Sequence, residues 1–175
     1  MRALLIVDMS NDFISDDGSL SLKKQGQVLV PHIMKHIEEF KDDIIVFCND
    51  THSENDEHFK LWPKHNVVNT SGIELYGDLK KYYDNHKNDM NVYYVKKSEY
   101  DAFYKTELKD ILKALKIEEV YVTGVCTDIC IFNTVYGAYK EGFKTFVYKD
   151  SVATFTNNQE IFLKHMENIY KTKII

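Results

Sequence analysis

The sequence predicts an α/β fold, in which a central parallel sheet is flanked by helices. Short apolar runs alternate with longer segments whose apolar residues recur at helical spacing, and this alternation is typical of right-handed βαβ units. The chain has 175 residues, of which 44% are hydrophobic. It is therefore long and apolar enough to form one domain, residues 1–175, with an ordinary hydrophobic core.

Strands are predicted where the apolar runs are short. They are expected at 3–7, 43–48, 91–95, 119–123 and 143–148, with Ile174 and Ile175 as the stub of an edge strand. The first run, Ala-Leu-Leu-Ile-Val, is continuously apolar, as expected for a strand that is buried on both faces.

Helices are predicted between these runs, at 26–41, 73–86, 106–116, 128–141 and 157–171. Their apolar residues recur at helical spacing, as Leu108, Ile111, Leu112 and Leu115 do. The polar stretch 49–72 breaks the alternation and is long for a plain connection. Loops of this kind are usually functional or mobile, so this stretch is a candidate for part of a site.

Composition narrows the classes of partner. A net charge of −5 without long blocks of like charge disfavours nucleic acid, and no apolar run approaches membrane-spanning length. Three cysteines without disulfide-type spacing predict a reducing, cytoplasmic location. The expected partner is a small molecule.

The run from Glu119 to Cys130 is the most informative part of the chain. A β-rich segment leads into Gly124 and a short turn, and a helix is expected to begin near Asp128. Cys130 is then expected in the first helical turn, where unpaired N–H groups and the helix dipole favour an anion. Such a thiol is predicted to have a lowered pKa and to act as a nucleophile beside an oxyanion hole. The alternative is a buried core thiol.

Two other predicted strands end in residues that suit such a nucleophile. Asp8 follows the run 3–7, and Lys97 follows the run 91–95. Ligands bind beyond the carboxyl ends of strands in open parallel sheets, so Asp8, Lys97 and Cys130 are expected to converge. A carboxylate can take the thiol proton, and an ammonium stabilises the thiolate. Taken singly, Asp8 could be a helix cap and Lys97 a surface lysine.

The long polar loop is interpreted as a metal site. It contains His52, His58 and His65, and Asp50 precedes them. Asp50 and His52 can point to the same side of an extended segment, and His65 is expected to return across the loop. One carboxylate with two or three imidazoles suits zinc, iron or manganese and leaves coordination positions open. A polar surface loop with solvated histidines is the alternative.

Aromatic residues occur close to these groups, at Phe13, Trp62, Tyr100 and Phe103. A flat aromatic substrate could stack among them. For Phe103, packing of the loop is an equally good explanation.

Five segments together resemble one family along nearly the whole chain. They are Val7-Asp-Met-Ser-Asn-Asp-Phe13, Asn49-Asp-Thr-His52, Trp62-Pro-Lys-His65, Lys97-Ser-Glu-Tyr-Asp-Ala-Phe103 and Gly124-Val-Cys-Thr-Asp-Ile-Cys130. Each segment is moderately specific, and all five in this order are highly specific. The chain resembles the nicotinamidases, within the isochorismatase-like cysteine hydrolases.

The resemblance implies a three-layer, doubly wound fold with about six parallel strands. It assigns Asp8, Lys97 and Cys130 to a catalytic triad. It makes Asp50, His52 and His65 metal ligands, and His58 occupies the position where some members supply a fourth ligand. It also implies a cis peptide bond between Val125 and Cys126, and an oxyanion hole formed by the N–H groups of Cys126 and Cys130. Phe13 and Trp62 are expected beside the substrate ring, with Tyr100 close by.

The implied activity is hydrolysis of nicotinamide to nicotinic acid and ammonia through a cysteine thioester, in NAD salvage. Pyrazinamide is an expected second substrate. The implied cofactor is one divalent metal ion, zinc first and iron or manganese otherwise, which holds the pyridine nitrogen. Members often form dimers or larger assemblies, so a homo-oligomer is an open expectation.

The sequence departs from the family pattern at three positions. The family often has Gln in place of Ser10, a small Ser in place of Asp101, and Ala or another small residue in place of Cys126. The charge of Asp101 is expected near the pocket mouth, where it could alter the substrate range. A disulfide between Cys126 and Cys130 could silence the enzyme on oxidation.

Three other functions are weighed against this one. A related cysteine amidohydrolase acting on another small amide or an N-carbamoyl substrate is disfavoured by the Asp50, His52 and His65 set. An isochorismatase-type vinyl ether hydrolase is disfavoured by Cys130. A non-catalytic nucleotide-binding module needs a Gly-rich loop after the first strand, and residues 8–13 contain no glycine.

Overall fold

The computed structural model describes residues 1–175, and one six-stranded sheet runs through its centre. The strands are β1 (Arg2–Val7), β2 (Ile44–Asp50), β3 (Val92–Lys97), β4 (Glu119–Val125), β5 (Lys144–Ala153) and β6 (Lys173–Ile174). Neighbouring strands are all parallel, in the order β3-β2-β1-β4-β5-β6. The predicted doubly wound parallel sheet is therefore confirmed, including the edge stub β6.

Helices cover both faces of the sheet. They are α1 (Asn11–Ile14), α2 (Lys24–Gln27), α3 (Leu29–Glu39), α4 (Gly77–His86), α5 (Leu108–Ala114), α6 (Phe132–Lys140) and α7 (Gln159–Tyr170). Two 3₁₀ turns, Glu57–Lys60 and Ser71–Ile73, and a π-helical turn, Thr127–Ile131, lie in the connections. No helix combines the length and the apolar character that crossing a membrane requires.

Strand β1 contributes to two hydrophobic cores, one on each face of the sheet. Ala3, Leu5 and Val7 pack with apolar residues of α5, α6 and α7, whereas Leu4 and Ile6 pack with those of α3 and α4. None of these five side chains is more than 1% exposed. Burial on both faces explains why this run is continuously apolar rather than alternating.

Strands β2 and β3 continue two residues beyond the predicted apolar runs. Asn49 pairs with Lys96 and Asp50 pairs with Lys97 in the parallel register. Asp50 and Lys97 are buried although both are charged. The sheet thus carries polar side chains directly into the space beyond its strand ends. Strand β5 also runs further than predicted, to Ala153, after a register shift opposite β4.

The single helix predicted over 26–41 is wrong, because α2 ends at Gln27 and α3 begins at Leu29. Pro31 lies in the first turn of α3, where its missing N–H costs nothing. In one continuous helix, Pro31 would remove a hydrogen bond and its ring would clash with the carbonyl of Gln27. The break at Val28 avoids both penalties.

The helix predicted over 73–86 begins later, at Gly77. The backbone just before it pairs with the segment after β1 instead. The N–H groups of Asn11 and Tyr76 donate across this pair at 2.8 and 2.9 Å. Tertiary pairing therefore overrides the local helical pattern there. Helices α5 and α7 lie within their predicted ranges but are shorter at both ends.

The central position of β1 gives a stability prediction. Leu5→Ala is expected to lower the free energy of unfolding by about 2–5 kcal/mol, because it leaves a cavity between β1 and the helices above it. Met90→Ala is the control, since Met90 is 90% exposed, and its effect should stay within about 0.5 kcal/mol. Urea denaturation followed by circular dichroism measures both, and equal changes would contradict this placement of Leu5.

Candidate active site

Four side chains meet beyond the carboxyl ends of the first four strands. Asp8 follows β1, Asp50 ends β2, Lys97 ends β3, and Cys130 lies in the π-helical turn after β4. The strand order reverses between β1 and β4, and open α/β sheets bind ligands at such a point. The structure thus brings Asp8, Lys97 and Cys130 together, as the strand-end argument predicted.

Asp8 is held in place by β2. Its N–H donates to a β2 carbonyl at 2.9 Å, and its Oδ1 accepts the N–H of Asp50 at 2.7 Å. Its φ is +56°, a left-handed conformation that costs about 1–3 kcal/mol outside glycine and clusters at functional sites. The other carboxylate oxygen, Oδ2, is buried and lies 2.8 Å from the ammonium of Lys97.

Glycine is required at position 124, where β4 passes close to β1. Gly124 has a φ of +110°, and a Cβ there would lie 2.0 Å from the carbonyl oxygen of Val7. The peptide bond between Val125 and Cys126 is cis, as the resemblance implied. The close approach at Gly124 brings the turn that carries Cys130 next to the end of β1.

Lys97 lies at the centre of the charged group. Its Nζ is 2.8 Å from Oδ2 of Asp8, 3.2 Å from Oδ1 of Asp50 and 3.8 Å from Sγ of Cys130. Burial by itself lowers the pKa of Lys97, but the two carboxylates outweigh it and raise that pKa well above its usual value. Lys97 is therefore a charged ammonium although its side chain is fully buried.

The predicted lowering of the Cys130 pKa is wrong. Burial raises the pKa of this thiol well above its usual value, and the Lys97 ammonium offsets only part of that effect. Burial also raises the pKa of Asp8, against the opposing charge of Lys97. A carboxylate with a raised pKa is a stronger base, so Asp8 is suited to taking the thiol proton during the reaction.

The predicted position of Cys130 in the first turn of an α-helix over 128–141 is also wrong. Residues 127–131 form a wider turn, in which the N–H of Ile131 donates to the carbonyl of Cys126 at 3.1 Å. The α-helix α6 begins only after this turn. Single π-helical turns of this kind occur frequently at functional sites.

All three cysteines are free thiols.

A second group of side chains comes from β2 and the polar loop. Asp50, His52, His58 and His65 each offer one ligand atom, and these atoms all lie within 4.8 Å of one another. Nε2 of His52 and Nε2 of His65 lie 2.9 and 3.2 Å from Oδ2 of Asp50. One carboxylate with three imidazoles is a donor set that suits zinc, iron or manganese. The four residues predicted as ligands therefore fit a divalent metal ion.

The outer nitrogens of two of these histidines already have partners. Nδ1 of His52 lies 3.0 Å from Oδ2 of Asp56, and Nδ1 of His65 lies 2.7 Å from the carbonyl of Pro63. Protein metal sites fix the tautomer and the ring orientation of their histidine ligands with bonds of this type. The sequence analysis missed Asp56, although its position four residues after His52 was a usable signal.

One pocket joins the two groups. It is lined by Phe13, Leu20, Asp50, His58, Trp62, His65, Tyr100, Cys126, Ile129, Cys130 and Phe155. The three aromatic residues predicted to contact a substrate, Phe13, Trp62 and Tyr100, all lie in its wall. The indole N–H of Trp62 donates to the Tyr100 hydroxyl at 3.0 Å. A mostly apolar wall with a few convergent polar groups is typical of small-molecule sites.

Phe103 and Asp101 do not line this pocket. Phe103 is buried against Phe143, with the ring centroids 5.8 Å apart. Asp101 lies against α6, where a Cβ on Gly137 would come within 2.2 Å of its Oδ1 and Lys140 lies 3.9 Å from its Oδ2. The predicted charge at the pocket mouth is therefore wrong, because the missing side chain at position 137 lets Asp101 turn towards the helix.

Three residues of the pocket wall were not predicted, namely Leu20, Ile129 and Phe155. Leu20 precedes α2, and Phe155 follows β5. Their contact with the pocket depends on how the loops fold back, which periodicity does not reveal. The usable signal for Phe155 was its place just beyond the carboxyl end of a strand.

Comparisons with known proteins agree with this geometry. The isochorismatase domain family matches residues 2–173. Over 164 residues, the chain is 39% identical to an uncharacterized isochorismatase family protein of Bacillus subtilis strain 168, and the match covers 91% of this chain and 88% of that protein.

Solved structures extend the comparison to three dimensions. A pyrazinamidase/nicotinamidase of Streptococcus mutans UA159 matches with a TM-score of 0.96 and 36% identity, covering 100% of both chains. The pyrazinamidase of Pyrococcus horikoshii, solved in complex with zinc, matches with a TM-score of 0.87 and 30% identity, covering 99% of this chain and 98% of that one. With its sheet, its strand-end residues and these matches in agreement, this chain belongs to the isochorismatase domain family.

Proposed function

We propose that this protein is a metal-dependent nicotinamidase, which hydrolyses nicotinamide to nicotinic acid and ammonia. One observation carries the proposal: a single pocket joins the Cys130 thiol to the histidine-rich ligand group around Asp50. The thiol supports acyl transfer, and the ligand group supports recognition of a ring nitrogen. The similar pyrazinamidase/nicotinamidase of Streptococcus mutans adds support. Pyrazinamide is a second expected substrate, and the nicotinic acid formed would enter NAD salvage.

The first half of the reaction forms a thioester. Asp8 takes the proton of the Cys130 thiol, and Sγ attacks the carboxamide carbon. The oxyanion receives hydrogen bonds from the backbone N–H groups of Cys126 and Cys130, each worth about 3 kcal/mol in comparable sites. Asp8 then gives its proton to the departing nitrogen. Ammonia leaves, and nicotinoyl remains bound to Sγ of Cys130.

The second half of the reaction restores the thiol. Asp8 takes a proton from water, and the resulting hydroxide attacks the thioester carbon. The C–S bond breaks, nicotinic acid leaves, and the proton held by Asp8 returns to Cys130. Over both halves, one amide and one water are converted to one acid and one ammonia. Lys97 stays charged throughout and stabilises the thiolate each time it forms.

The metal would be held by Asp50, His52, His58 and His65. When bound, it supplies a Lewis acid for a heteroaromatic nitrogen. We propose zinc, because nitrogen donors predominate in the set and because the similar pyrazinamidase of Pyrococcus horikoshii was solved with zinc. The chain's own contribution is orientation, since Asp56 and the Pro63 carbonyl fix two of the imidazoles.

The role of Cys130 is tested by ammonia release from nicotinamide. Cys130→Ala is expected to lower kcat by about 1,000-fold or more, because the acyl acceptor is removed. Cys48→Ala is the matched control, since Cys48 is a second buried free thiol, and it should retain the activity.

Two outcomes of this assay would contradict the proposal in different ways. Full activity in Cys130→Ala would overturn the thioester scheme. Absence of release by metal-loaded, reduced wild-type protein would move the substrate to another small amide or an N-carbamoyl compound.

Metal dependence is tested by chelation and by a change beside the ligands. Dialysis against a chelator is expected to abolish ammonia release, and one equivalent of zinc should restore it. Asp56→Asn should weaken zinc binding by about 10–100-fold, because it removes the charge that orients His52. Competition with a chromophoric chelator measures the Kd.

The matched control for Asp56→Asn is Glu57→Gln. Glu57 is exposed in the 3₁₀ turn that Asp56 caps, and it contacts Lys60 rather than a histidine. This variant also removes one negative charge from the loop, but it should bind zinc as the wild type does. Equal zinc affinities for the two variants would show that Asp56 has no role in orienting the ligand.

A further inference from the structure

Phe155 differs from every other residue of the pocket wall in its exposure. Cys130, Cys126 and Asp50 are no more than 7% exposed, whereas Phe155 is 42% exposed. The pocket therefore has a buried end at the thiol and an outer end at Phe155. At that outer end, the ring of Phe155 meets the ring of Trp62 edge-on, with the centroids 6.0 Å apart.

The segment that carries Phe155 is clamped to the turn before Cys130. Asp128 accepts the hydroxyl of Thr154 on Oδ1 at 2.6 Å and the hydroxyl of Thr156 on Oδ2 at 2.5 Å. One carboxylate thus binds both neighbours of Phe155 in the chain. Hydrogen bonds to a charged acceptor are stronger than neutral ones, so this clamp holds an exposed side chain in a defined place.

A second tie on the same segment supports the clamp. The side chain of Gln159 lies 3.5 Å from the hydroxyl of Thr127 and donates to the carbonyl of Val152 at 3.2 Å. Residues 152–159 are therefore fastened to residues 127–128 at three side chains. The position of Phe155 is therefore tied to the position of residues 127–128.

The shape of the substrate indicates which ring position meets this outer end. In nicotinamide, the ring nitrogen and the carboxamide-bearing carbon are meta to each other. Position 5 is the only ring carbon that is adjacent to neither of them. If the carboxamide lies at Cys130 and the ring nitrogen lies towards the Asp50 group, position 5 is the part of the ring left for the outer end.

We propose that Phe155 limits the size of the substituent that a pyridine carboxamide can carry at position 5, and that Asp128 positions Phe155 through Thr154 and Thr156. The inference rests on the proposed function and deepens it, because it names a specificity-determining side chain and its anchor. Pyridine carboxamides with a bulky group at position 5 are the ligands that Phe155 excludes.

The direct test compares nicotinamide with 5-phenylnicotinamide. For Phe155→Ala, the ratio of kcat/KM for the phenyl compound to that for nicotinamide should rise by about tenfold or more, the usual effect of opening an apolar pocket. The matched control is Tyr139→Ala, which removes an aromatic ring of similar exposure, 48%, from α6. Its ratio should stay at the wild-type value.

The clamp is tested with Thr156→Val, which keeps the side-chain volume but removes the hydroxyl bound to Asp128. It should shift the same ratio in the same direction through KM, with a smaller effect than Phe155→Ala. Thr145→Val is the control, because Thr145 makes its hydroxyl bond to Thr172, away from the pocket. An equal loss of kcat on both substrates in Thr156→Val would indicate a merely structural role and overturn the positioning claim.

A binding measurement separates failure of this inference from failure of the proposed function. Trp62 is the only tryptophan of the chain, so its fluorescence reports binding of nicotinate and 5-phenylnicotinate without catalysis. The inference alone would be overturned by two results together. The wild type binds or hydrolyses the unsubstituted compounds, and Phe155→Ala shows no gain in binding or hydrolysis of the phenyl compounds. Neither binding nor hydrolysis in metal-loaded wild type would overturn the proposed function and the inference together.

Discussion

The site depends on one buried cation, the ammonium of Lys97. It lies within 3.2 Å of the carboxylates of Asp8 and Asp50 and 3.8 Å from the Cys130 thiol. Its charge opposes the effect of burial on the pKa of both carboxylates, and breaking a buried ion pair costs about 3–5 kcal/mol. Lys97 therefore allows three strands to place acidic or nucleophilic groups at one point. The order of strands brings these groups together, and the Lys97 ammonium lies beside each of them.

Asp50 links this group to the ligand group. Its Oδ1 faces Lys97, while its Oδ2 faces His52 and His65. Burial by itself raises the pKa of Asp50, but Lys97 and the two histidines outweigh it and hold that pKa well below its usual range. One carboxylate thus serves two neighbouring centres with its two oxygens. This sharing explains how the proposed acyl-transfer centre and the proposed ring-binding centre can fit into one small pocket.

The sequence predicted those parts of the fold that follow from local patterns. The continuously apolar run before Asp8 marked a strand buried on both faces, and polar residues directly after such strands marked the site. The spacing of Asp50, His52 and His65 predicts a ligand group, and the structure brings their ligand atoms together. The convergence of the residues after these strands follows from the rule that parallel strands present their carboxyl ends to one edge of the sheet.

The features that could not be predicted arise from contacts between distant segments. The chain before α4 pairs with the segment after β1, where the sequence pattern predicts a helical turn. The pKa of Cys130 is raised by burial, which a helix-terminus argument ignores. Phe155 lines the pocket from a loop in which Asp128 binds the hydroxyl groups of both its neighbours. Pro31 is different, since its chemistry was visible in the sequence and should have divided the predicted helix.

The central claim is that hydrolysis passes through an acyl group on Cys130. The most direct test is to let nicotinamide and methyl nicotinate react in the presence of hydroxylamine. A shared thioester predicts that both substrates give nicotinohydroxamic acid and nicotinic acid in the same ratio, because that ratio is decided after the leaving group has departed. A ratio that differs between the two substrates, or the absence of hydroxamic acid while ammonia is released, would contradict the account.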